Sequence, residues 1–162
     1  MNVALSKDRS IVDALSSSTS LTKLKELHLE GNDLGDVALD ALFASPTLSR
    51  LSALNVNGDA MTLKGMRALV RALFVSRLRS LNIGWNPIGL ASAKLLANTP
   101  ELSNLRDVVL RYCKLTPTAV SAVLSSENLK RLKTIDLQGN TVGKRNVQLL
   151  TSRFGNRGKW NQ

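Results

Sequence analysis

Hydrophobic residues recur along this chain with one spacing, and that spacing predicts short strands that alternate with helices. Leucines stand at equal intervals, without insertion or deletion, at Leu24, Leu51, Leu78, Leu105 and Leu132. Two further apolar residues follow each of these leucines, as Leu27 and Leu29 do in the first block. Because side chains two residues apart on a strand point to the same face, each block predicts a short strand with one buried face.

The second half of each repeat predicts a helix. Apolar residues recur there at helical spacing, within residues 34–45, 62–73, 89–98, 116–126 and 143–153. The positions predicted to face the core are Leu39/Leu42, Met66/Leu69, Ala93/Leu96, Val120/Val123 and Val147/Leu150. A single repeat cannot bury its own apolar face, so we expect stability to come from stacking of neighbouring repeats.

The blocks share a detailed pattern, which reads LKELHLEGNDL, LSALNVNGDAM, LRSLNIGWNPI, LRDVVLRYCKL and LKTIDLQGNTV. It resembles the L-x-x-L-x-L-x-x-N/C-x-L pattern of leucine-rich repeats. The length of one repeat, from Leu24 to Leu51, is similar to that of the ribonuclease-inhibitor-like class. The ending RFGNR resembles the closing stretch of some bacterial leucine-rich-repeat proteins. The resemblance implies an α/β solenoid, a segment of a right-handed horseshoe with a concave parallel sheet and convex helices.

The repeats predict a single leucine-rich-repeat domain over residues 1–162, with five repeats at 24–50, 51–77, 78–104, 105–131 and 132–158. Residues 1–23 match only the helical half of a repeat. Either residues 1–7 form a cap, or the chain is the C-terminal part of a longer solenoid. In the second case the first strand has an open edge, through which the protein could self-associate. A C-terminal cap is predicted at 153–162.

Composition indicates the cellular compartment of the protein. The chain has one cysteine, which cannot form an internal disulfide and is typical of a reducing compartment. No apolar run approaches the roughly 18 residues of a membrane-spanning helix, and the N-terminus lacks the pattern of a signal peptide. We therefore expect a cytoplasmic protein without a membrane span.

Candidate catalytic groups are few. The single histidine, His28, lies between Glu26 and Glu30 on the outward face of the first predicted strand. A metal or acid–base role is one interpretation, and a solvated surface histidine is the favoured one. Cys113 occupies the Asn/Cys place of its repeat, which favours a buried structural thiol. No enzyme activity, cofactor or metal is predicted.

Binding to a protein partner through the concave sheet and its adjoining loops is the favoured function. The eighth place of each repeat, just after the strand, is glycine except at Trp85 and Tyr112. Packing of Trp85 on Pro87 or Tyr112 is one interpretation, and an exposed aromatic hot spot is the other. The predicted partner-binding residues are Trp85, Tyr112, Arg111, Asn82, Asn55 and Val109.

Charge supports a second interpretation. The net charge is +10, but residues 1–49 hold four basic and seven acidic residues, whereas the remainder holds 18 basic and five acidic ones. The predicted concave face has four carboxylates and one arginine, so the positive charge should lie elsewhere. Basic residues at the repeat junctions should stack into a ridge, with Arg77, Arg79, Arg106, Arg131 and Lys133 as its binding residues. This ridge could bind nucleic acid or anionic surfaces electrostatically, although no aromatics lie along it to stack bases.

Overall fold

A computed structural model describes residues 14, 15, 18 and 21–160 of the chain. In this part the protein forms one parallel sheet, whose strands follow each other in chain order. The strands are β1 (Glu26–His28), β2 (Ala53–Asn55), β3 (Ser80–Asn82), β4 (Asp107–Val109), β5 (Thr134–Asp136) and β6 (Gly158–Lys159). The first five pair at a constant offset, as Leu27 pairs with Leu54 and Leu54 with Leu81. This register confirms the repeat predicted from the leucines.

A helix follows each of the first five strands. The helices are α1 (Gly35–Phe43), α2 (Leu63–Leu69), α3 (Gly89–Ala97), α4 (Pro117–Leu124) and α5 (Lys144–Phe154). Threonine hydroxyls cap α2 and α4, where Thr62 and Thr116 accept hydrogen bonds from backbone N–H groups of the first turn. Helix α2 ends at Leu69, before the end of the predicted segment, and a short 3₁₀ turn at Val75–Arg77 continues towards β3. None of these helices has the length and apolar character needed to cross a bilayer.

The core lies between the sheet and the helices. The strand leucines and the inward helical residues are buried, and of the predicted helical pairs only Val147 is partly exposed. Each helix packs on the helix of the next repeat. The α/β leucine-rich-repeat solenoid predicted from the sequence is therefore confirmed.

Side chains at the ninth place tie neighbouring repeats together. The Asn86 carbonyl oxygen accepts hydrogen bonds from the N–H groups of Asp59 and Met61, at 3.2 and 2.8 Å. Its amide group donates to three backbone carbonyls, among them that of Val56 in the preceding repeat, at 2.8 Å. Asn140 repeats this arrangement with the repeat that contains Cys113. Its side-chain oxygen accepts the N–H groups of Cys113 and Leu115, and its amide group donates to the backbone oxygen of Leu110. These bonds satisfy buried backbone groups in turns that have no regular secondary structure.

The two ends depart from the repeat. Strand β6 pairs with β5 at a shorter offset than the other strands, as Asp136 pairs with Lys159, and the sequence pattern did not predict it. Phe154 is buried and Trp160 packs against the core. Most of the partial repeat predicted at 1–23 lies outside the described residues. Leu15, which the structure does describe, is buried. The division into partial repeat, full repeats and cap stays a prediction.

Candidate functional site

Trp85 and Tyr112 occupy backbone positions that favour glycine. Their φ angles are 55° and 53°, in the left-handed region, and Gly31, Gly58 and Gly139 hold the same place in the other repeats with φ between 70° and 76°. A side chain with a Cβ is strained in this conformation, at a cost of about 1–3 kcal/mol per residue. The tenth place is also left-handed in several repeats. The two aromatic residues are thus accommodated by the turn and not required by it.

The two aromatic rings stack on each other at the rim of the sheet. Their centroids lie 4.0 Å apart and their planes meet at 24°. Trp85 nevertheless keeps 55% of its surface exposed and Tyr112 keeps 47%. The next layer makes room for the stack, because a Cβ on Gly139 would overlap the Tyr112 ring. Trp85 therefore packs on Tyr112, and the pair is exposed at the same time, so the two interpretations of the sequence do not exclude each other.

Polar side chains line the concave face beside this pair. Asn55, Asn82 and Val109 stand in register on β2, β3 and β4, so they are adjacent at about 4.8 Å, the spacing of strands. The side-chain oxygens of Asn55 and Asn82 accept the backbone N–H two residues on, at 3.2 and 3.1 Å. These turns orient the two amides, whose N–H₂ groups donate to no other described residue.

Arg111 is held in one orientation between two repeats. One of its terminal nitrogens (Nη2) lies 2.6 Å from a carboxylate oxygen of Asp136, whose side chain is almost fully buried. Its aliphatic stem crosses Gly84, where an added Cβ would come within 2.9 Å of Cγ. Nε of Arg111 is buried without a hydrogen-bond partner among the described residues. The guanidinium is therefore fixed and only partly satisfied.

Strand β6 changes the charge of the concave face. Its Lys159 lines a groove of about 380 Å³ together with Arg157, Asn156, Val109 and Arg111. The expectation that a single arginine faces four carboxylates on this face was therefore wrong. Three cations gather at its C-terminal end, where the groove also includes the carboxylate of Asp136 that pairs with Arg111, while Glu26 of β1 lies at the other end. The missed residues belong to a short strand, and to the turn before it, that carry no leucine pattern.

The thiol of Cys113 is structural, as its place in the repeat predicted. Its sulfur is fully buried and lies 3.2 Å from the backbone oxygen of Ile83 in the preceding repeat. Burial raises the pKa of the Cys113 thiol to about 12, so the nucleophilic thiolate is not formed at neutral pH.

His28 remains at the surface of the described sheet. It is partly exposed, and its Nε2 lies 3.8 Å from a carboxylate oxygen of Glu26. The described residues contain no group of three or more His, Cys, Asp or Glu side chains that could hold a metal ion.

The basic residues of the repeat junctions lie on the opposite edge of the sheet, before the strands. The structure places Arg77 and Arg79 together, in a groove that they share with Lys25 and Arg50. Arg131 instead donates a hydrogen bond to Asn104, at 3.0 Å. Neither Arg106 nor Lys133 lines this groove. One part of the predicted ridge thus lines a groove and the other part lies outside it. The sequence did not predict this division.

Comparison with known families agrees with this architecture. Residues 20–43 and 77–97 match the family model described as Leucine Rich repeat. A search of curated proteins finds no match to the chain. The fold and the matching segments together support a leucine-rich-repeat protein. Such repeats generally mediate protein–protein interaction, and proteins of this type are typically non-enzymatic binding scaffolds.

Proposed function

We propose that this protein is a non-enzymatic interaction module, which binds a protein partner through the concave sheet and the loops that leave it. The observation that carries the proposal is the aromatic pair, Trp85 and Tyr112, stacked and exposed at turns where glycine suffices. Large aromatic side chains beside an arginine are enriched at the energetic centres of protein interfaces. The pair is the anchor in this proposal.

The energetic balance of the pair supports a role outside the fold. The left-handed backbone costs about 1 kcal/mol or more at each of the two residues. Stacking of two rings returns about 0.5–1.5 kcal/mol. The stacking term, which comes beyond the burial of area, therefore does little more than offset the backbone strain, and a partner that covers the exposed half of the rings would add hydrophobic stabilisation.

The remaining predicted residues fit the polar surround of such an anchor. Arg111 presents a fixed guanidinium, and Asn55 and Asn82 present oriented amide donors, so little side-chain entropy is lost on binding. Val109 adds an apolar floor beside the groove that Arg157 and Lys159 line. We propose that the partner segment over this end of the face carries acidic side chains.

The test is quantitative capture from a lysate of the source cell. Wild-type protein is compared with Trp85→Gly/Tyr112→Gly, a variant that restores the residue found at this place in the other repeats. Leu73→Ala is the matched control, because it truncates an exposed apolar residue, 63% exposed, away from the rim. We expect the double variant to lose its partners and the control to keep them. An unchanged set of partners on the double variant would refute the hot spot.

A second candidate function is electrostatic binding of nucleic acid or anionic surfaces through the ridge of Arg77, Arg79, Arg106, Arg131 and Lys133. The specific observation in its favour is that none of these five residues forms an ion pair with another described residue. Such binding would weaken steeply with salt. A salt series on heparin or mixed nucleic acid tests it, and no affinity at low salt would exclude it.

Four finer assignments are also proposals. The repeat period, with helices on the outer side, supports the ribonuclease-inhibitor-like class, and the RFGNR ending supports a bacterial type. The single, buried Cys113 supports a cytoplasmic location, which cell fractionation tests. Strand β1 pairs only with β2 among the described residues, which supports self-association through this edge. Sedimentation across a concentration series tests the last point.

A further inference from the structure

We infer that four cations at the repeat junctions, Lys25, Arg50, Arg77 and Arg79, form a discrete binding site for a compact ligand that carries two or more phosphate groups. They line a groove of about 450 Å³ on the side of the sheet where the strands begin. This inference rests on the second candidate function, an anion-binding ridge. It narrows that function from an extended surface to one cavity and one class of ligand.

The cavity arises from a single small residue in a row of long ones. The second place of successive repeats is Lys25, Ser52, Arg79, Arg106 and Lys133. Only Ser52 is short, so the row has a gap one strand spacing wide on either side of it, about 4.8 Å to each neighbour. The preceding row supplies Arg50 and Arg77 beside the gap. Cations therefore surround a hollow and do not merely cover a flat edge.

The electrostatics of the groove are uncompensated. Its lining consists of four cations and three neutral polar residues, with no carboxylate. None of the four cations forms an ion pair with any residue in the described part of the chain. Four like charges in one concavity repel each other, and an anionic ligand relieves that repulsion.

The floor of the groove is rigid. The backbone N–H of Ser52 donates to the oxygen of Lys25, and that of Arg79 donates to the oxygen of Ser52, both at 2.8 Å. The Ser52 hydroxyl donates to the same Lys25 oxygen at 3.2 Å. On the far wall the Asn104 amide donates to the backbone oxygen of Ser76 at 2.9 Å. These bonds fix where the cationic side chains start, which lowers the entropy lost on binding.

The lining favours phosphate over other anions and a compact ligand over a long one. Three of the four cations are arginines, whose planar forks bind phosphate oxygens through paired hydrogen bonds. The volume of about 450 Å³ lies within the roughly 300–1,000 Å³ of small-ligand sites. No aromatic residue lines the groove, so it offers no platform on which nucleic-acid bases could stack.

The test is calorimetric titration of the full chain with inorganic tripolyphosphate at about 0.15 M ionic strength. Arg50→Gln/Arg77→Gln should weaken binding roughly tenfold or more, because two charge-assisted contacts are lost. Arg106→Gln/Lys133→Gln removes the same charge outside the groove and should weaken it less than about threefold. Thermal melts confirm that each variant is folded. Equal losses in the two variants would overturn the proposal.

Ser52→Arg separates a cavity from a charged surface. It adds a cation but fills the gap, so we expect weaker binding of tripolyphosphate, whereas tighter binding would overturn the discrete site. Vesicles with and without a phosphoinositide, compared with a free inositol phosphate, distinguish a lipid headgroup from a soluble ligand. If an oligonucleotide binds and tripolyphosphate does not, the proposed site in the groove is refuted and the extended ridge is supported. No binding of any of these polyanions would refute both.

Discussion

Two neighbouring turns of this solenoid depart from the repeat in opposite ways. The turn at Gly58–Asp59 has the favoured glycine at its eighth place but a carboxylate where three of the other four repeats have an asparagine. The turn at Trp85–Asn86 has the favoured asparagine at its ninth place but a strained aromatic before it. The first departure is fully buried and the second is 55% exposed. A departure inside the ladder acts on stability, whereas one at the rim acts on what the surface can bind.

The buried departure has a measurable electrostatic cost. One oxygen of Asp59 accepts the backbone N–H of Asn32 at 2.9 Å, while the other is buried without a hydrogen-bond partner among the described residues. Burial raises the pKa of this carboxyl from 3.8 to about 6, because the hydrogen bonds from neighbouring N–H groups do not fully offset the lost solvation. By the symmetry of the repeats, the unpartnered oxygen takes the place of the Asn86 amide nitrogen, which donates to three carbonyls.

Removing the intact ladder side chain should have the largest effect. Asn86→Ala leaves two backbone N–H groups and three carbonyls in the buried turn without their side-chain partner. We expect a loss of about 3–5 kcal/mol in the free energy of unfolding, measured by urea denaturation. Asn140→Ala is the control, because it removes the same kind of bonds at a partly exposed turn, where water can replace them. A loss as large at Asn140 would contradict the role of burial.

Repairing the buried departure should have the next largest effect, with a defined pH dependence. A folded-state pKa above the ordinary value means that Asp59 destabilises the folded chain as it ionises. Wild-type stability is therefore lost as pH rises from 3.8 through about 6. Asp59→Asn does not titrate, so its advantage should grow over this range to about 3 kcal/mol at pH 7. Denaturation at both ends of the range measures it, and an advantage independent of pH would contradict the mechanism.

The exposed departure should have the smallest effect on stability. Trp85→Gly relieves the left-handed strain but loses the stack on Tyr112 and the buried part of the indole, so the free energy of unfolding should fall by less than about 2 kcal/mol. Gly58→Ala is the reciprocal control, because its added Cβ meets only ordinary contacts at 3.9 Å or more and isolates the backbone strain. Thermal melts measure both. A loss of several kcal/mol in Trp85→Gly would make the aromatic pair structural.

The regular part of the fold could be predicted because the sequence repeats its own spacing. Leu27, Leu54 and Leu81 share one position in three blocks, and their strands pair at that offset. Strand β6 could not be predicted in this way. It pairs at a different offset and contains only Gly158 and Lys159, whose pairing depends on where the end of α5 leaves the chain.

The candidate sites were predicted as rows but not as cavities. The places of Asn55, Asn82 and Arg111 in the repeat were enough to put them on one face. The bond from Arg111 to Asp136 and the space above Gly84 depend on side-chain directions across layers, which spacing does not determine. Similarly, Ser52 looks like one more polar residue in the sequence, and its lack of length matters only beside Lys25 and Arg79.

The constant offset of the first five strands makes length a modular property of this protein. Duplication of any whole repeat between β1 and β5 would add one more strand, about 4.8 Å wide, and leave the facing of every other side chain unchanged. A block of another length would rotate the turns out of line and interrupt the row of ninth-place amides. The protein can thus be lengthened in whole units, and a graft of the Trp85 or Ser52 block would carry its surface to a new position along the arc.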